Sequence, residues 1–118
     1  MRVAVVGNRV GWTREYVHAR LAEEKVTRAD ILLTGGAEGV DTFAQEYAKL
    51  IGAQIRIYYP DPEKPSPERY FERNEMIAMN CDKMIAFDMD GGASGTKNAI
   101  RHANKHGKEV IIVEDMLD

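Results

Sequence analysis

At 118 residues the chain has room for one domain of ordinary size, residues 1–118, and none for a second. With 44% hydrophobic and 30% charged residues it is too apolar for a disordered tail and too evenly mixed for a membrane protein, so a globular fold is expected. Sixteen Lys and Arg against nineteen Asp and Glu leave a net charge of -3, without the basic excess that binding to a nucleic-acid backbone draws on, so nucleic acid is not expected as a partner.

The first apolar run, Val3-Ala4-Val5-Val6, reads as a strand and is too short for a signal-peptide core. No stretch approaches the roughly 20 apolar residues of a membrane span. The lone Cys81 cannot form an internal disulfide, so a cytoplasmic protein is expected. Gly7-Asn8-Arg9 follows the first strand, and Val17, Leu21 and Ala22 suggest a helix after it. Ile31-Leu32-Leu33 is the second strand, followed by Gly35-Gly36-Ala37-Glu38-Gly39. Phe43, Ala44, Tyr47, Ala48 and Ile51 then form one apolar stripe at helical spacing, closed by Gly52 as a left-handed cap. Ile55-Arg56-Ile57-Tyr58 is the third strand. All four prolines fall in the next stretch, Tyr59 to Pro67, which is either a stiff connector or a lid over a site. Ser66 and Pro67 read as the N-cap and first residue of a third helix, whose inner face carries Tyr70, Phe71, Ile77 and Ala78. Cys81 is a small buried filler ahead of the fourth strand, Met84-Ile85-Ala86-Phe87. Gly91-Gly92-Ala93-Ser94-Gly95 opens a fourth helix with Ala99, Ile100 and Ala103 inward, which ends near Gly107 before the last strand, Val110 to Val113.

Near-continuous apolar strands alternating with helices give βαβαβαβαβ, and right-handed crossovers then impose a parallel sheet covered on both faces. The fold class is a three-layer Rossmann-like α/β domain with a five-stranded parallel sheet. An order of 3-2-1-4-5, taken from the class, puts the switch point between strands 1 and 4, where ligands bind at the carboxyl ends.

Two GGAxG loops, each following a strand and opening a helix, are the informative repeat. Glycine there allows close backbone approach, and the helix beyond aims unpaired N–H groups at the same spot, an arrangement suited to an anion. Ser94 and Thr96 add hydroxyls, and Arg9 and Lys97 add charge. The segment at Gly7 lacks GxGxxG, and Gly95-Thr96-Lys97 has the wrong order for a P-loop, so neither a dinucleotide oxidoreductase nor a P-loop NTPase fits.

Val5-Val6-Gly7-Asn8-Arg9 with Trp12, Leu33 to Asp41, Arg73-Asn74 with Met76, and Ala86 to Thr96 together resemble the SLOG superfamily, most closely its YspA/YpsA-related branch of small stand-alone proteins. The resemblance spans nearly the whole chain. It implies a Rossmann-like domain that binds a nucleotide or nucleotide-derived ligand. The stretch Gly35 to Asp41 is similar to a loop of the DprA DNA-processing proteins, with Glu38 where those commonly carry a basic residue. The phosphoribohydrolases of the LOG type share the arginine at Arg73 and the Gly95-Thr96 pair, while their glutamate position falls on Ala99 and their lysine on Asn74.

The expected function is therefore binding of a phosphorylated nucleotide-like ligand. The phosphate is expected at Gly92, Ser94, Gly95 and Thr96, with Arg9 and Arg73 nearby. Gly7, Asn8, Gly35, Gly36 and Asp41 line the sugar or base end. Asp41 either caps its helix or favours its positive end, or bonds a ribose or base; Arg73 is either a phosphate clamp or a surface ion-pair residue. Asn74 faces inward and either ties loops together or reaches the ligand. An alternative is an N-glycosidase, of phosphoribohydrolase or deoxyribosyltransferase type, acting on nucleoside monophosphates, with Glu75, Asp88 or Asp90 supplying the carboxylate that Ala99 lacks. A third reading is a partner-binding module with a vestigial nucleotide site. His102 and His106 lie one turn apart without a neighbouring Glu or Cys in sequence, so no metal site is expected, and no cofactor. Met76, Met79, Met84 and Met89 serve core packing or a self-association face, and SLOG relatives often pair, so a homodimer is expected.

Overall fold

The nine expected elements form in chain order: β1 (Arg2–Gly7), α1 (Arg14–Glu23), β2 (Ile31–Thr34), α2 (Val40–Ile51), β3 (Gln54–Ile57), α3 (Glu68–Asn80), β4 (Lys83–Phe87), α4 (Ser94–Lys105) and β5 (Glu109–Val113). The computed structural model describes residues 1–89 and 94–117, with the backbone alone at Ser94. All strand pairs are parallel and the sheet order is β3-β2-β1-β4-β5, as the alternation and the class together predict. The central pair runs in register from Val3 opposite Lys83 to Gly7 opposite Phe87.

Alternate side chains of the same strands feed two separate cores, because successive residues of a strand point to opposite faces. Val3, Val5, Ile85 and Phe87 pack with Val17 and Leu21 of α1 and Val40, Ala44 and Ala48 of α2. Ala4, Val6, Met84 and Ala86 pack on the other face with Ile77 and Ala78 of α3 and Ala99, Ile100 and Ala103 of α4. Each large aliphatic side chain buried this way contributes about 1.5–3 kcal/mol. Tyr47 reaches the first core with its ring and donates its hydroxyl to the Val26 carbonyl at 2.9 Å.

Helix α1, the weakest by sequence, forms with two inward anchors, Val17 and Leu21, and is capped by Thr13, whose Oγ1 accepts the Tyr16 N–H at 3.1 Å. Gly52 ends α2 in the expected left-handed conformation. The start of α3 differs from expectation. Pro67 itself occupies the N-cap and no side chain caps the helix, so Ser66 lies one residue too far out to serve the first turn. Cys81 is buried, as a filler should be. Of the four methionines, Met84 is buried and Met89 packs on the first core, while Met76 and Met79 on α3 are 45% and 49% exposed. Among the described residues no helix is long and apolar enough to cross a membrane.

Candidate functional site

A cleft of about 580 Å³ opens at the carboxyl ends of β1 and β2, between the loops that follow them and helices α3 and α4. It lies at the switch point of the sheet, where β1 connects to one side and β4 to the other. Gly7, Asn8, Arg9, Gly35, Asp41, Arg73, Asn74, Gly95 and Thr96 line it, nine of the residues expected from sequence. Gly36 does not line it. Asp90 and Gly92 lie outside the described residues, as does the Ser94 side chain.

The loop after β2 is built differently from a phosphate cradle. Asp41, only 5% exposed, turns back from the first turn of α2 and accepts the N–H groups of Gly35 and Ala37 on Oδ2, at 3.2 and 3.1 Å. The Gly36 N–H goes to the Thr34 hydroxyl at 3.2 Å. Three of the donors that this loop would offer an anion are thus already satisfied by the protein. Asp41 is accordingly not the cap of α2; Gly39 holds that position, with a φ of 76°. A Cβ on Gly39 would stand 2.4 Å from the Arg9 carbonyl oxygen, so its missing side chain lets the loops after β1 and β2 meet. The Val40 N–H donates to the Asn8 carbonyl across that contact.

The same holds for two other glycines of the cleft. The space beside Gly7 is filled by Val40 and that beside Gly35 by the Arg73 guanidinium. Gly95 is the exception: among the described residues, its chain neighbours and own helix backbone aside, no atom lies within 4 Å of where its Cβ would be. The open approach lies at the first turn of α4, where N–H groups have no intrahelical partner.

Arg73 is neither a surface ion-pair residue nor free to swing. Its Nη1 donates to the Gly35 carbonyl at 2.5 Å and to that of Tyr58 at 3.4 Å, and its Nε to Asn74 Oδ1 at 2.9 Å. Burial lowers its pKa from the ordinary value, against the pull of Asp41. Asn74 passes the chain of bonds on: its Nδ2 donates to the Gly95 carbonyl at 3.2 Å and to Asn98 Oδ1 at 3.1 Å. This buried amide therefore ties α3 to the start of α4, the first of its two expected roles. Arg9 is exposed at the rim.

Burial pushes the Asp41 carboxyl up to about 6, with the Ala37 N–H, Arg73, the Gly35 N–H and Arg9 all pulling it back. Among the described lining residues the charged side chains are Arg9, Arg73 and Asp41. Tyr70, Phe71, Ser66 and Pro67 form its remaining wall. Tyr70 and Phe71 look from their spacing like core positions, and nothing in the sequence marks them as facing a cleft; the end of the proline segment does approach it.

The three carboxylate candidates separate. Glu75 is not in the cleft: it faces α4, with Oε2 at 3.4 Å from both His102 Nδ1 and His106 Nε2 and 3.8 Å from Lys105 Nζ. The two histidines thus do have an acidic neighbour, contrary to their reading by sequence spacing, because α3 and α4 pack side by side. The hydrogen bond with His106, with the charges around it, holds the Glu75 carboxyl below the ordinary range. Among the described residues no group of three His, Cys, Asp or Glu is arranged to hold a metal ion. Asp88 lies just beyond β4 and is 3% exposed. Ala99, at the position of the absent glutamate, lines the cleft and puts a methyl group there.

This parallel sheet with its switch-point cleft defines a Rossmann-like fold, the fold that the sequence resemblance implies. The chain aligns over 99% of its length with DNA processing protein A (DprA) from Streptococcus pneumoniae, with a TM-score of 0.81 and 20% identity, and covers 52% of that protein. It aligns over 98% with DNA processing protein A from Helicobacter pylori, described as having a unique single-stranded DNA binding mode (TM-score 0.70, 19% identity, 69% of that chain), and over 92% with the structural-genomics target TM1055 (TM-score 0.71, 22% identity, 71% of that chain). The chain thus spans about half the length of the first of these. No family model and no curated protein matches it. The Helicobacter neighbour overturns the expectation that nucleic acid is not a partner. Net charge is a sum over the whole surface and does not decide what a local group of charges binds.

Proposed function

We propose that the cleft binds a nucleotide through its phosphate, either as a free nucleotide or as one unit of a single strand. The observation that carries this reading is that Arg9, Arg73 and the first turn of α4 at Gly95 and Thr96 line one cleft. A volume of about 580 Å³ falls within the roughly 300–1,000 Å³ usual for small-molecule sites and suits one nucleotide. The single-strand form of the ligand draws on the Helicobacter neighbour. The reading takes residues 1–118 as one domain of the YspA/YpsA-related branch. Ala99 lines the cleft with a methyl group where the phosphoribohydrolases carry their glutamate, which favours binding over N-glycosidic cleavage of their kind.

The test is calorimetric titration with inorganic phosphate, the four ribonucleoside 5′-monophosphates and a short single-stranded oligodeoxynucleotide. Nucleotide binding that disappears in Gly95→Asp, a change with open space to accept it, supports the proposal. Absence of binding by every probe, or unchanged binding by Gly95→Asp, overturns it.

A further inference from the structure

Two buried polar atoms at the switch point have no hydrogen-bond partner among the described residues: Asn8 Nδ2, a donor, and Asp88 Oδ1, an acceptor. They sit on adjoining strand ends. Gly7 pairs with Phe87 in the β1–β4 register, so Asn8 and Asp88 are the next residues on each side. The Asn8 N–H donates to the Phe87 carbonyl and the Met89 N–H to Asn8 Oδ1, which ties the two ends together.

The orientation of the Asn8 amide is chemically determined. Its Oδ1 accepts from both Trp12 Nε1 at 2.9 Å and the Met89 N–H at 2.8 Å. Neither group can donate to an NH₂, so the nitrogen has to be the atom left over. Asp88 continues the alternation of β4: Phe87 belongs to the core beneath α1 and α2, and Ala86 to the core beneath α3 and α4. With its N–H still bonded to the Val113 carbonyl at 2.9 Å, Asp88 falls on the same side of the sheet as Ala86, the side on which Val6, Ile77 and Ala99 line the cleft, and lies buried beneath that lining. Asn8 is 8% exposed and Asp88 3%. Leaving such groups unpaired is costly, so the pair calls for a partner that the described protein groups do not supply.

We infer that Asn8 Nδ2 and the Asp88 carboxylate together receive one sugar hydroxyl of the bound nucleotide. A hydroxyl accepts one hydrogen bond and donates another, so a single small group satisfies both atoms at once. The near-complete covering of the pair leaves room for nothing bulkier, and the Asp88 carboxylate has to turn about its broad terminal torsion to receive the hydroxyl. Asp88 is acceptor-only when ionised and repels phosphate, so the phosphate stays at Arg9 and α4 while the sugar, one ester link away, takes the floor. Asp88 thereby becomes a specificity-determining residue that reads the hydroxyl pattern of the sugar.

This inference rests on the nucleotide reading of the cleft, and the experiment separates the two. Adenosine 5′-monophosphate and its 2′-deoxy and 3′-deoxy forms are titrated into the protein and into Asp88→Ala and Asp88→Asn, each checked for folding by its melting curve. Loss of one of the two hydroxyls should weaken binding roughly tenfold or more in the parent protein. In Asp88→Ala the same loss should have no further effect. Equal affinity of all three nucleotides for the parent overturns the hydroxyl site and leaves the cleft reading standing, since water alone then serves the pair. Equal weakening of all three by Asp88→Ala does the same. The comparison of nucleotides on the parent protein decides the matter even if a variant does not fold, and failure of all three to bind brings down both readings.

Discussion

Replacing Asp41 by Asn should stabilise the protein near neutral pH, an unusual outcome for a buried polar residue that holds a loop. The carboxylate takes both loop N–H groups on one oxygen, Oδ2, and an asparagine Oδ1 can take them in the same way. What the substitution removes is the cost of burying a charge, which outweighs the attraction of Arg73 and Arg9 and raises the group from 3.8 to about 6. At about 1.4 kcal/mol per pH unit, that rise corresponds to about 3 kcal/mol. A carboxyl raised by folding binds its proton more tightly in the folded chain, so stability falls as pH rises from about 4 to about 6 and the full cost is felt above that range. Urea denaturation of both proteins at pH 4, 6 and 7.5 measures the effect. Asp41→Asn should be more stable by up to about 3 kcal/mol at pH 7.5, and the difference should shrink towards pH 4. A variant that is equally or less stable at pH 7.5, or a difference independent of pH, would refute the reasoning.

Removing the same negative charge from beside Arg9 and Arg73 should also tighten phosphate binding by Asp41→Asn several-fold at pH 7.5, as read by calorimetry. Gly39→Ala should cost about 2 kcal/mol or more in thermal unfolding, because a positive φ and the Arg9 carbonyl both oppose a side chain there. Gly95→Ala, with empty space to enter, should leave stability unchanged or raise it by about 0.5–1 kcal/mol through better helix propensity. Asn74→Ala leaves Arg73 Nε, the Gly95 carbonyl and Asn98 Oδ1 without their partner and should cost about 3 kcal/mol in denaturant melts, with weaker anion binding as α4 loosens. Glu75→Gln, in contrast, should leave nucleotide titrations unchanged, since Glu75 faces the histidines of α4 and not the cleft.

Much of the cleft was legible from residue types alone, but for reasons that the structure revises. Glycines at 7, 35 and 39 read as places where a ligand meets bare backbone. At each, the space belongs to the protein: to Val40, to Arg73 and to the Arg9 carbonyl. A sequence shows that a side chain is missing and not what fills its place. Asp41 gave the signal of a helix cap because capping is what an acid near a helix start most often does locally; its longer reach to Gly35 and Ala37 depends on where β2 releases the chain. Glu75 and the two histidines are some 27 to 31 positions apart, and only the packing of α3 on α4 makes them neighbours.

Strand and helix alternation, the apolar faces, the left-handed cap at Gly52 and the resemblance that implies the fold are all carried by neighbouring residues, because periodicity and cap chemistry act over a few positions. Which cleft glycine has open space beside it, which carboxylate lines the cleft, and that Asn8 and Asp88 end side by side depend on contacts between segments far apart in the chain. Those contacts arise only when β1 and β4 pair at the centre of the sheet.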